Sequence, residues 1–267
     1  MIQAKDFTYG GVSLSDIGDD FILVEINGGK SEISKQYLAA NVLKSDVRPL
    51  TNFYTKSPSD VLKFSIAIAH EGGAKLTADD ITALNKWLLS GKTPKVGYFT
   101  PYDSIEENSV YTDVDYIGVF TNSAYSQIGQ VGKISVEYDF ENISPYAFSK
   151  EKQYTVRSET SKSITITGGG SSGEIVAPEV TIVPTADGTV TIKNDADSAE
   201  PFSVTVSNGQ KVIVSDYNMF TEDGELYDFS NAANLNFPLI ADGVNRITVT
   251  GSATVIFKLR FYVNIGV

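Results

Sequence analysis

"VGKISVEYDFENISPYAF", residues 131–148, decides the fold class. Ile134, Val136, Tyr138 and Phe140 alternate with Lys133, Ser135, Glu137 and Asp139, a period of two that sends all the apolar side chains to one face of an extended strand. Pro145 then closes the strand in a turn. "VLKFSIAIA" (61–69) repeats the alternation with Leu62, Phe64, Ile66 and Ile68. "FILVEIN" (21–27), "VYTDVDYIGVF" (110–120), "PFSVTV" (201–206) and "ATVIFKLRFYVN" (253–264) are rich in β-branched and aromatic residues, which suit a pleated, half-buried surface. Asn27-Gly28, Asp187-Gly188, Asn208-Gly209, Asp223-Gly224 and Asp242-Gly243 supply turn signals. The chain reads as mainly β, with strands too closely spaced for helical crossovers.

One segment departs from this pattern. In "LTADDITALNKWLLSG" (76–91) Thr77 is placed to cap a helix, with Asp80 three residues on and Asp79 beside it where the helix dipole favours negative charge. Ile81, Leu84 and Leu88 follow helical spacing with Trp87 beside them, and Gly91 is placed to end the helix. The expectation is one amphipathic helix on a sheet, with Trp87 as a core anchor.

At 267 residues the chain suggests two domains, and a boundary falls near residue 150, after "NISPYAF". The domains expected are 1–150, a β domain carrying the helix, and 151–267, a second run of strands. The Gly-rich "TGGGSSGE" (167–174) is another flexible break. With 42% apolar residues and a mean hydropathy of −0.07, the chain can fill a core and has no run suited to a transmembrane helix. "MIQAKDFTYGG" lacks the basic start and apolar stretch of a signal peptide. Absence of cysteine excludes disulfides, iron–sulfur clusters and thiolate zinc sites. Net charge is −12, with more acids than bases in both halves, so neither half is built to hold nucleic acid phosphates.

The residues offer little for catalysis. His70 is the only histidine, at a strand end, with no G-x-S-x-G elbow and no cysteine nucleophile. Acids cluster in "YDSIEEN" (102–108), "DVD" (113–115) and "TEDGE" (221–225), but no spacing marks the pair a glycosidase needs. "NDADSAE" (194–200) lacks the glycine and closing glutamate of a calcium loop. "TGGGSSG" lacks the Lys-Ser/Thr ending of a phosphate loop. No metal or cofactor is expected, and the chemistry points to binding or assembly.

Three features taken in order resemble the distal tail proteins of siphophages, especially phages of Gram-positive hosts. They are a strand "LKFSIAIA" followed by a helix closing in "LNKWLLSGKTPKVGYF"; the end of the first domain, "GQVGKISVEYDFENISPYAF"; and "FPLIADGVNRITVTG" (237–251) ahead of a last strand "IFKLRFYVNIGV". In the last phrase Pro238 fixes the entry to a turn, Gly243 permits a left-handed conformation, and Asn245 is placed to bond neighbouring backbone. The resemblance implies an N-terminal tail-tube-like β domain that forms a homo-hexameric ring, and a C-terminal galectin-like or carbohydrate-module-like β-sandwich. It also implies a virion location at the distal end of the tail. Its partners would be the major tail tube protein, a tail-tip or tail-associated protein, and receptor-binding or baseplate proteins. DNA would pass through the ring without sequence-specific binding, helped by the acidic balance, and no membrane is involved. "AKDFTYGGVSL" (4–14) and the 101–110 loop are candidate ring contacts.

The alternative is a carbohydrate-binding module recognising host cell-wall polysaccharide. Residues 151–267 contain neither Trp nor His, so stacking would fall to Tyr217, Phe220 or Tyr227, which read equally as core or rim aromatics. A carboxylate-dependent glycosidase is a third reading.

Overall fold

The alternation of 131–140 becomes the spine of the first of two compact units, Met1–Phe148 with Val263–Val267 and Ser149–Tyr262. The computed structural model describes residues 4–27, 39–43, 53–57, 61–101, 114–127, 133–170, 172–197, 200–215, 217–232, 234 and 236–264. "YDSIEEN" and Asp113 lie outside them, as does all of the 101–110 loop beyond Pro101.

In the first unit the strands are β1 (Ala4–Tyr9), β2 (Val12–Ser13), β3 (Phe21–Asn27), β4 (Ala39–Leu43), β5 (Phe53–Ser57), β6 (Lys63–His70), β7 (Lys95–Pro101), β8 (Val114–Gln127) and β9 (Lys133–Asn142). Seven of them form one antiparallel path, β2-β1-β7-β8-β9-β6-β3, while β4 and β5 pair antiparallel as a separate sheet. Phe64, Ile66 and Ile68 of β6 stand opposite Phe140, Tyr138 and Val136 of β9, so two alternating strands merge their apolar faces. Gly118 lies on β8 where a Cβ would meet the Glu141 carbonyl oxygen at 2.1 Å. A side chain there would force β8 and β9 apart.

Helix α1 is a single turn (Leu14–Ile17), and α2 (Ala78–Leu88) is the amphipathic helix. Thr77 caps α2 as expected: its hydroxyl accepts from Asp80 N–H at 3.2 Å, and its own N–H donates to the Asp80 carboxylate at 2.6 Å. The helix ends before Gly91: Leu89 is its C-cap, still donating its N–H to the Asn85 carbonyl. Leu84, Trp87 and Leu88 are buried. Trp87 stacks on Phe7 at 5.0 Å and donates Nε1–H to the Tyr9 carbonyl at 3.1 Å, while Tyr138 hydroxyl reaches Asn85 at 2.9 Å. Each fully buried aromatic or aliphatic side chain contributes about 1.5–3 kcal/mol.

Short strands β10 (Ala147–Ser149) and β20 (Tyr262–Val263) fall where the sequence passes between the units. The second unit is a two-sheet sandwich built from β11 (Lys152–Ser158), β12 (Ser161–Thr167), β13 (Glu179–Pro184), β14 (Gly188–Asn194), β15 (Phe202–Val206), β16 (Val212–Ser215), β17 (Asn218–Thr221), β18 (Val244–Thr250) and β19 (Ala253–Leu259). The sheets run β11-β19-β13-β16-β17 and β12-β18-β14-β15. Val180, Val214, Met219 and Phe257 form one inward row of the larger sheet; Ile192, Phe202, Ile247 and Val249 come from the smaller. The fold is mainly β, as the alternation requires.

Two buried asparagines fasten the two proline-containing phrases. Asn142, 3% exposed, accepts from Ile117 N–H at 2.8 Å and donates to the Ser144 and Tyr146 carbonyls across "NISPY". Asn245, fully buried, accepts from Ala241 N–H and from the Asn194 amide, both at 2.9 Å, and donates to the Ala241 carbonyl at 2.8 Å. Gly243 at φ +89 makes the turn that lets the chain fold back over this side chain. Ile247 and Val249 then enter the core.

Candidate functional site

His70, Asp80 and Glu222 take structural roles. His70 Nε2 lies 3.0 Å from Asp80 and its ring stacks on Phe21 at 4.9 Å, tying the end of β6 to the capping box of α2. Asp80 is held below the usual carboxylate range, first by the Thr77 hydroxyl and also by His70. In "TEDGE" Glu222 pairs with Lys211 at 3.0 Å, while Gly224 N–H donates to the Thr221 carbonyl in a tight turn. In "NDADSAE" the Asn194 side chain turns inward to Asn245 and to the Leu239 carbonyl at 2.8 Å, away from any exposed cation. Among the described residues no group of three or more His, Asp or Glu is arranged to hold a metal ion.

The three aromatics of the second unit occupy different environments. Tyr227 is 5% exposed and donates its hydroxyl to the Thr205 carbonyl at 3.0 Å, so its ring belongs to the core. Phe220 is half-buried on the outward face of the larger sheet. Tyr217 is 62% exposed in the turn between β16 and β17, edge-on to Phe237 at 5.8 Å.

Register brings together a surface feature that no local motif announces. Thr155 pairs with Ile256, Ile256 with Thr181, Thr181 with Ile213, Ile213 with Phe220, and Phe220 bridges to Leu226. These six residues alternate with the inward rows, so they form one line across the outward face of the larger sheet. Leu226 is 67% exposed, whereas Thr181 is 7% exposed although it points outward. The Lys258–Glu179 pair at 3.4 Å borders the line on one side and the Lys211–Glu222 pair borders it on the other. An apolar strip with a charged rim has the anatomy of a protein–protein interface.

The first unit presents a different face. Opposite its core, β9 shows Glu137, Asp139 and Glu141 among Ser65 and Ala67 of β6 and Ala124 of β8. Glu141 pairs with Lys63, Ser65 donates to Glu137 at 2.8 Å, and Asn122 donates to Asp139 at 3.3 Å. The face carries three carboxylates among small side chains.

Known proteins place this architecture. Residues 2–143 match the family described as phage tail protein N-terminal domain, and residues 146–259 match that of the phage tail C-terminal domain. Among solved structures, the Dit protein of phage SPP1, described as a paradigm of the hub adsorption apparatus in phages infecting Gram-positive bacteria, is similar in fold. It shares 16% identity over 97% of this chain and 100% of its own, with a TM-score of 0.64. A chain of the phage P2 baseplate in its activated conformation is a looser likeness, 11% identical over 97% of this chain and 98% of that one, with a TM-score of 0.49. No curated protein matches the chain.

Proposed function

The chain belongs to a family of phage tail proteins, and on that premise we propose that it is the hub at the distal end of the tail. Copies assemble as a hexameric ring that continues the tail tube, DNA passes through the centre, and the second unit holds tail-tip, receptor-binding or baseplate proteins. The observation that carries this reading is the likeness in fold, along the whole chain, to a protein described as a hub.

Two surfaces support it. The acidic face of β6, β8 and β9 suits a channel wall, since fixed carboxylates repel phosphates and let DNA slide without adhering. The apolar line Ile256–Thr181–Ile213–Phe220–Leu226 suits the docking of a neighbouring tail protein. The role is structural and non-enzymatic, and it accords with the use of His70, Asp80 and Glu222 in a cap and an ion pair.

Closed rings use head-to-tail contacts, so two different surfaces of each copy must match. Co-expression of the chain with the tail tube protein and the tail-tip protein of its own phage tests the reading, followed by affinity capture and negative-stain imaging. Rings capping tubes are expected, and a Leu226→Asp/Ile213→Asp variant should retain the ring and lose the tip protein. Failure of the wild-type chain to bind either partner overturns the reading.

A further inference from the structure

Tyr217 is the one residue other than glycine with a left-handed backbone among the described residues, at φ +59. It lies in a turn immediately before Asn218, which pairs with Ser215 across β16 and β17. Glycine or asparagine fits that conformation with less strain, and a bulky aromatic there costs about 1–2 kcal/mol. The ring also stays 62% exposed, so burial does not offset the strain.

The ring is nonetheless firmly mounted. It stands at 88° to Phe237, and Phe237 stacks at 5.8 Å on Phe202, which is 1% exposed in the core. Pro238 restricts the backbone of Phe237. Polar groups rim the platform: Asn236 is exposed beside Phe237, and Asn218 follows Tyr217.

We propose that Tyr217, braced by Phe237 and flanked by Asn236, is a stacking platform for an uncharged sugar ring of a polysaccharide. A pyranose has one apolar face to lie on an aromatic ring and a rim of hydroxyls for amides and carboxylates. A protein anchor would be expected inside a wider apolar surround, as on the line ending at Leu226, and Tyr217 stands apart from that line on a strained turn. The net charge of −12 selects against polyanionic polymers. The inference does not rest on the hub reading, because a ring can assemble without this platform.

The test uses the full chain in affinity gel electrophoresis with three neutral probes, dextran, galactan and a chitin oligosaccharide coupled to the matrix. Wild type should be retarded by at least one. Tyr217→Ala should weaken that retardation at least about tenfold, and Tyr217→Phe should preserve it. Tyr217→Asn fits the left-handed turn, so it should lose retardation while unfolding at a temperature no lower than wild type. That variant keeps the test valid if Tyr217→Ala fails to fold. No retardation by any probe overturns the proposal, and so does retardation that survives both Tyr217→Ala and Tyr217→Asn. If these variants instead lose a tail-protein partner, the platform is a protein contact and the proposal also fails. Mass measurement of each variant separates loss of sugar binding from loss of assembly.

Discussion

Replacing Asn245 with alanine should destabilise the second unit by about 3–4 kcal/mol. Its side chain is fully buried and makes three short hydrogen bonds, to Ala241 N–H, the Ala241 carbonyl and the Asn194 amide, with longer ones to the Gly243 and Ile166 carbonyls at 3.2 and 3.4 Å. Alanine leaves these groups without that partner, and each buried orphan costs about 1–3 kcal/mol. The total stays near the low end because Asp242 and Gly243 are exposed and water reaches part of the turn, and because Asn194 keeps its bond to Leu239. For a unit of this size the loss lowers the melting temperature by about 10–15 °C. Scanning calorimetry measures it, and fluorescence of Trp87, the sole tryptophan, follows the first unit alone.

Asn245→Asp gives a sharper signature. The carboxylate still accepts from Ala241 N–H and Asn194, but it sets a negative oxygen against the Ala241 and Gly243 carbonyls. Burial and this repulsion raise its folded pKa above the unfolded value, so the protonated form, which donates again, is favoured in the folded state. The variant should therefore regain stability relative to wild type as pH falls from 7 toward 5. An alanine variant within about 1 kcal/mol of wild type, or an Asp variant with no such pH response, would refute the clamp.

Gly118→Ala should cost more than about 3 kcal/mol or abolish soluble expression, because its Cβ would lie 2.1 Å from the Glu141 oxygen; yield and chemical denaturation check this. Asp80→Asn should cost about 1 kcal/mol near pH 7 through the α2 capping box. Since the Asp80 folded pKa lies below its unfolded value, its contribution is full above the ordinary carboxylate range and fades as pH falls through the folded value. The gap between wild type and Asp80→Asn in urea midpoints should accordingly close on acidification. Thr221→Val should stabilise by about 1 kcal/mol, because the buried Thr221 hydroxyl has no hydrogen-bond partner; a thermal melt above that of wild type is the expected result.

The sequence makes legible what is local and periodic. Phe64, Ile66, Ile68, Val136, Tyr138 and Phe140 declare their face because the strands are half-buried, and Thr77 with Asp80 declares a helix start because the capping box is a contact over three residues. Asn245 is readable as a residue that bonds nearby backbone, since two of its strongest partners belong to Ala241, four residues away. Long-range register is not readable. Ile256, Ile213 and Leu226 each look like an isolated outward residue until pairing lines them up, and Thr181 between them gives no sign that its neighbours bury it. Tyr217, Phe220 and Tyr227 lie within eleven residues, yet one is exposed, one half-buried and one in the core. The turns at Tyr217 and at 222–225 interrupt the alternation that would otherwise tell them apart. The inward turn of Asn194 is hidden for the same reason, because its partner Asn245 is 51 residues away.

The measurement that bears most directly on the central claim is the native mass of the purified chain, alone and with its tail tube protein, with negative-stain images of the same samples. A hexameric ring with an open centre, formed alone or on the tube, is the predicted result. A chain that stays monomeric in both samples would contradict it.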